Sequence, residues 1–217
     1  AYHQYVEESN YPADYFGGGL DEKQNFVEKS LEHYVSTHFL NLKEGSVLVD
    51  MAACNSPFHA IMKRKYSLAE AYQQDLIYEP GIKGNQIGGY GHELPLADES
   101  VDAVSLHCSL EHFEGESDMQ FFQTMEKKLK TGGRIVILPF YLAHEYSIHV
   151  DPIYNWIHRH KVNLDNNERF RLRYANWYQY YSRHYDPQAL KERIIDRCPQ
   201  LELSIYRVKN FREVHPS

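Results

Sequence analysis

Cysteine is scarce in this chain: Cys54, Cys108 and Cys198 are three residues in 217, far apart. No C-x-x-C pair occurs, so no disulfide framework is expected, and a reducing, cytoplasmic setting fits. Long apolar runs are missing too. No stretch approaches the roughly 18 residues of a membrane span, so no membrane span is expected. An excess of basic charge is also absent. The formal net charge is −7, whereas a nucleic-acid or anionic-membrane partner would favour a basic face. The N-terminus, Ala1-Tyr2-His3-Gln4-Tyr5, is polar and aromatic and so does not read as a signal peptide. It also lacks an initiator Met, which suggests a processed product or an excised fragment. There is no internal repeat and no low-complexity tract.

What is present suits a folded domain. The apolar fraction of 42% supports a sizeable core, and the length suits one large domain or a domain with an inserted lid. Two excesses stand out, 18 Tyr and 13 His, many of them in the second half.

The chain is organised around Val47 to Phe58. Val47, Leu48 and Val49 form an apolar run without alternation, the mark of a parallel strand buried on both faces. Asp50 stands at its end. The strand runs to about Met51, a tight turn of small residues follows, Ser56 is a suitable N-cap, and Pro57 fits the first helical position. Ahead of this unit, Gly17-Gly18-Gly19 reads as a hinge, and Asp21 opens a helix to about Leu40. Phe26, Val27, Leu31, Tyr34, Val35 and Phe39 fall near one face of that helix.

Further strands are expected at Ala69–Leu76, Gln86–Gly89, Val101–His107, Arg134–Leu142 and Leu201–Val208, with helices over Pro57–Tyr66, Glu116–Leu129 and Asp186–Asp196. Strands alternating with helices argue for an α/β fold with a mostly parallel sheet. Residues 143–185 break the alternation. They interleave Tyr146, Tyr154, Trp156, Trp177 and Tyr181 with His149, His158, His160 and several arginines, and read as an inserted aromatic lid or cap. The organisation expected is an N-terminal helical segment (1–45), a core (46–142), the lid (143–185), and a C-terminal helix and strand (186–217).

The motif order over residues 46–140 resembles the class I S-adenosylmethionine-dependent methyltransferases, especially the type 11 group. The carrying segments are Asp75 after the second strand, Leu94-Pro95-Leu96-Ala97-Asp98-Glu99-Ser100-Val101-Asp102, Leu110-Glu111-His112, and Leu129-Lys130-Thr131-Gly132-Gly133. The resemblance implies a Rossmann-like, doubly wound sheet and S-adenosylmethionine as cofactor. It implies that Asp75 binds the ribose hydroxyls and that Asp50 organises the turn. Ala52, Ala53, Cys54, Leu76, Tyr90, Gly91 and His107 complete the expected cofactor set.

Three departures stand out. The family's glycine-rich turn, D-x-G-x-G-x-G, is here Asp50-Met51-Ala52-Ala53-Cys54-Asn55-Ser56, without glycine. Tyr90 replaces an acidic residue that usually follows the third strand. The usual seventh strand is either missing or belongs to a longer protein.

The end of the fourth strand carries the candidate chemistry. Methyl transfer to a hydroxyl needs a base, and His107 and His112 are the candidates, each with a structural alternative, a histidine hydrogen-bonded to a loop. Cys108 reads as a buried filler. No metal site is expected, because His107/His112 and His158/His160 have neither H-E-x-x-H nor zinc-finger spacing. In the lid, Tyr146, His149, Trp177 and Tyr181 suit a small polar or glycan substrate, or else a packing role. The function expected is an S-adenosylmethionine-dependent methyltransferase. The alternatives are a non-catalytic methyltransferase-like binding or scaffold domain and a histidine-based metal-dependent hydrolase.

Overall fold

The computed structural model describes residues 1–16, 20–166, 169–176 and 178–209, with backbone alone for 20–24. The Gly17–Gly19 hinge, Trp177, the end of the chain and the Asp21 side chain lie outside the described residues. The chain divides into two compact units. The first holds Ala1–His107, Lys128–Leu138 and the segment beginning at Leu203; the second holds Cys108–Lys127 and Pro139–Glu202. Among the described residues no helix is long and apolar enough to cross a membrane.

The first unit contains α1 (Tyr2–Ser9), α2 (Leu20–Phe39), β1 (Val47–Met51), α3 (Phe58–Tyr66), β2 (Glu70–Lys83), β3 (Gln86–Gly88) and β4 (Val101–His107). Its last strand is β5 (Leu129–Leu138), which continues directly from α4 (Ser117–Lys128), a helix lying mostly in the second unit. The five strands make one parallel sheet in the order β3-β2-β1-β4-β5. Strand order reverses between β1 and β4, and the crevice outside the carboxyl ends there is where such sheets take ligands.

The two-residue period of the strands separates the faces. Val49, Met51, Val104 and Leu106 point one way and have no exposed surface. Leu48, Ala71 and Ala103 point the other way and pack with Phe58, Ile61 and Met62 of α3 and with Leu40 and Leu42. Further along this second face stand Asp50, Ser105 and His107. Apolar side chains thus fill the sheet floor and polar ones its carboxyl end.

Several sequence expectations are corrected here. α1 was read only as a polar and aromatic stretch; its inner side is Tyr2, Tyr5 and Ser9. Among the described side chains of α2 the most buried are Ser30, Leu31, His33 and Ser36, so its inner face is partly polar, not the apolar stripe expected. Pro57, not Ser56, is the N-cap of α3, although Ser56 Oγ still accepts from Phe58 N at 3.2 Å. β2 extends through the expected turn at Glu79-Pro80-Gly81 and returns along β3, pairing Ile82 with Ile87. At Gly88 a Cβ would collide with the carbonyls of Tyr78 and Glu79, which fixes glycine there. β5 starts five residues early, because Leu129 already pairs with Val101 and Thr131-Gly132-Gly133 form a bulge inside the strand instead of a helix stop. Leu201–Val208 is not a strand. Leu203, Ile205 and Val208 are exposed, and the segment pairs with no strand among the described residues.

The second unit has its own three-stranded sheet. β6 (Ser147–Val150) lies between β7 (Arg171–Tyr174), parallel to it, and β8 (Ser182–His184), antiparallel. Ile148, Val150 and Tyr181 form its apolar centre with Val162 and Phe170. Two short helices, α5 (Pro152–Ile157) and α6 (Pro187–Arg193), begin alike. Asp151 and Asp186 accept hydrogen bonds from the first-turn amides, and a proline follows each. Beside them two arginines and two aspartates are buried together. Arg193 holds Asp118 at 2.6 Å, Arg183 holds Asp118 at 3.0 Å and Asp165 at 2.5 Å, and Tyr185 and Tyr146 donate to the same carboxylates.

Candidate cofactor site

The candidate site lies at the carboxyl ends of β1 and β4 in the first unit, beside Asp75, where the parallel pairing of β2 with β3 ends. The turn after β1 carries three non-glycine residues in the left-handed region: Ala52 (φ 48°), Cys54 (φ 44°) and Asn55 (φ 63°). Asn visits this region readily, whereas an Ala or Cys there costs roughly 1–2 kcal/mol. The compensation comes from β2. Ala52 N donates to Gln74 Oε1 (3.2 Å), Ala53 N to the Gln74 carbonyl (3.0 Å), Cys54 N to Asp75 Oδ2 (2.8 Å) and Asn55 N to the Tyr78 hydroxyl (3.1 Å). Ser56 N closes on the Ala53 carbonyl at 2.7 Å. Five consecutive amides are therefore satisfied, four of them by the neighbouring strand.

Asp75 accepts a second amide, Ile77 N, at 3.2 Å. A carboxylate offers about four lone-pair directions, so these two contacts leave room for two more donors, as a ribose diol would supply. Leu76 is 61% and Tyr90 53% exposed, while Gly91 is buried in a short 3-10 turn, Gly91–Glu93. Cys54 is exposed, and partial desolvation of its thiol, with the Asp75 charge second, pushes its pKa up.

Behind the turn, Asp50 is 1% exposed. Its Oδ1 accepts from Ser105 Oγ at 2.8 Å and lies 3.3 Å from His107 Nδ1. Its Oδ2 and His107 Nδ1 have no hydrogen-bond partner among the described residues. Two open polar atoms in so buried a place suit an incoming donor and acceptor. His107 Nε2 meets Ser36 Oγ of α2 at 2.8 Å. The His33 ring lies 4.7 Å from that of His107 and is held by the Tyr11 hydroxyl at 2.9 Å. Burial first, and the neighbouring His107 second, keep the His33 pKa well below the usual histidine value. A cofactor carrying a ribose and a charged amino-acid end is compatible with this donor and acceptor set.

Residues 79–137 match the family model of the methyltransferase domain. None of the curated proteins matches. Among solved structures, a Haloferax volcanii protein in complex with the Trm112 methyltransferase activator shares 14% identity over 82% of this chain and 72% of its own, with a TM-score of 0.50. The fold is that of the class I methyltransferases. A protein assigned as a methyltransferase of an antibiotic biosynthesis pathway in Anabaena variabilis ATCC 29413 shares 25% identity, with a TM-score of 0.41. The match covers 50% of this chain, which spans only 44% of that one. A geranyl diphosphate C-methyltransferase of Streptomyces coelicolor A3(2), solved with S-adenosyl-L-homocysteine, shares 14% identity over 76% and 72% of the two chains, with a TM-score of 0.45.

Within the methyltransferase fold the expected cofactor residues Asp50, Ala52, Ala53, Cys54, Asp75 and His107 fall at adjacent strand ends of one unit. His112, Tyr146, His149 and Tyr181 belong to the other unit. There His112 Nδ1 donates to the Tyr181 carbonyl at 2.6 Å, and its Nε2 lies 3.7 Å from Glu111 Oε1. Tyr146 and Tyr181 are each 1% exposed and turned onto Asp165, so they pack the interior instead of presenting a ring to a substrate. His149 is half-buried and stacks on His184 at 4.2 Å. Cys108, expected as a buried filler, is only partly buried and has a left-handed backbone, φ 47°. The sequence reading missed His33, Ser36 and Tyr11. The available signal was Ser30-x-x-His33-x-x-Ser36, a row of polar residues at helical spacing that turns inward.

Proposed function

We propose that the chain is an S-adenosylmethionine-dependent methyltransferase acting on a small polar or sugar-containing acceptor. The observation that carries this reading is Asp75, a carboxylate where the parallel pairing of β2 with β3 ends, with lone pairs to spare, set against the β1 turn beside the switch in strand order. Asp75 would hold the ribose hydroxyls. Ala52, Ala53, Cys54, Leu76, Tyr90 and Gly91 would line the nucleoside, and Asp50 would receive an N–H or O–H donor. When bound, the cofactor supplies an already activated methyl group. The chain's task is then chiefly to position the acceptor and to remove its proton. His107 is the candidate base: its Nε2 meets Ser36 Oγ, and its Nδ1, 3.3 Å from Asp50 Oδ1, has no hydrogen-bond partner among the described residues. A base shifts the rate by ~10²–10⁴-fold where the acceptor must lose a proton.

One observation favours a second reading, a non-catalytic binding domain. The amides of residues 52–56 are already satisfied by the protein itself, so a ligand gains few of them.

Calorimetric titration with S-adenosylmethionine and S-adenosylhomocysteine separates the two. The methyltransferase reading expects binding near micromolar, about −8 kcal/mol, lost in Asp75→Ala with folding retained. Absence of heat for both ligands with the folded protein would overturn it in favour of the second.

A further inference from the structure

We propose that the α5 face of the second unit is a docking surface for a bilayer containing anionic lipid. α5 is held from its inner side. Asn155 donates to the Tyr180 carbonyl at 2.9 Å, and Asp151 accepts from Ile153 N, Tyr154 N and, at 3.2 Å, Tyr178 N. The Tyr154 ring of the helix and the His158 ring at its end contact the Tyr180 ring, which also meets His160, at 4.2 to 5.8 Å. This scaffold leaves the opposite side, Ile153, Trp156 and Ile157, facing water at 63%, 80% and 60% exposure. Positions i, i+3 and i+4 share one helix face. Apolar residues scattered singly on a surface need no explanation, but a fixed cluster marks a contact. Tyr178, whose ring lies 6.4 Å from that of Tyr154, is exposed as well.

The charges around the cluster indicate what it meets. Among the described residues from 152 to 180, every exposed charged side chain is basic: Arg159, Lys161, Arg171 and Arg173. Arg171 and Arg173 are paired with Glu145, whereas Arg159 and Lys161 have no partner among the described residues. The nearby Glu114 is taken up by His160 and Asn163 N. The chain as a whole carries −7, so this patch inverts the charge of the rest. A nucleic acid would match the bases and could stack on Trp156, but the two isoleucines offer no stacking face. Hydrocarbon uses Ile, Trp and Tyr together, with tyrosine and tryptophan at headgroup level and basic residues reaching the phosphates.

The test is flotation of the full chain with vesicles of phosphatidylcholine alone or with about a third phosphatidylglycerol. The expected result is recovery with the anionic vesicles that weakens in high salt. Ile153→Ser with Ile157→Ser should lower the vesicle partition coefficient by at least ~10-fold. Arg159→Gln and Lys161→Gln should each lower it by about 5-fold, on anionic vesicles alone. These positions are exposed, so unchanged circular dichroism and melting confirm that the variants fold. No recovery of the wild type overturns the proposal. So does light scattering showing a homodimer that the double isoleucine variant dissociates, since the face would then serve a second copy. Equal recovery of wild type and both variant sets overturns it as well.

Discussion

The two units treat buried polar groups in opposite ways. In the second, Asp118, Asp165, Arg183 and Arg193 cancel in charge, and tyrosines occupy the remaining carboxylate directions; Arg183 Nε alone among their side-chain N and O atoms lacks a partner. In the first, Asp50 is as enclosed and His107 partly so, yet each has a polar atom without a partner among the described residues. A closed network fixes a packing arrangement, while an open one leaves binding capacity that the fold itself does not use. The difference separates a structural cluster from a candidate site more clearly than burial does, since both are nearly dry.

The largest expected effect is on the closed network. Asp118→Ala leaves two buried guanidinium groups short of their counter-charge and should cost ~3–5 kcal/mol in urea unfolding. Asp50→Asn should cost less than about 2 kcal/mol, because one oxygen has no partner to lose. Equal losses would erase the distinction. Next comes the strained turn. Ala52→Gly and Cys54→Gly relieve left-handed strain and should each raise stability by ~0.5–1 kcal/mol after the entropic cost of glycine. A loss in either would mean that the turn is not strained as described. Tyr78→Phe removes the acceptor for Asn55 N and should cost ~0.5–1.5 kcal/mol.

The smallest effect is a pH dependence in the second unit. Burial, followed by the His149 and Arg173 charges, lowers the His184 pKa from 6.5 to about 4. The unfolded chain therefore takes up this proton first as pH falls. The stability contribution is complete above about pH 6.5 and declines toward pH 4. Asp165, raised by burial, acts in the opposite sense. The proper measure is thus the difference between wild type and His184→Asn, whose unfolding midpoint should fall less between pH 7 and 5. Parallel curves would sink this account.

Much of the fold was legible because its signals are local. Val47–Val49 and Val101–His107 are apolar runs with clear ends, and both are strands where expected. The failures came where pairing decides. Leu129 joins β5 because Val101 is beside it, whereas Leu201–Val208 pairs with no strand among the described residues. At the site, Asp50, Asp75 and His107 were readable as polar residues at strand ends. His33 was not, since a histidine inside a helix looks alike in sequence whether it turns to water or inward. Tyr146 and Tyr181 misled for a related reason: tyrosines that cap buried carboxylates have the same composition as tyrosines that line a ligand.

The β1 turn, finally, has its shape written elsewhere. Gln74, Asp75 and Tyr78 supply the acceptors that hold residues 52–55 in place, so the instructions for the loop reside on the adjacent strand. Transplanting residues 50–56 alone into a related scaffold would carry the letters without the conformation. Moving residues 73–78 with them would carry both. By the same logic, a glycine-rich sequence introduced into this turn should settle into the form the alanine and cysteine already adopt, because the mould stays behind.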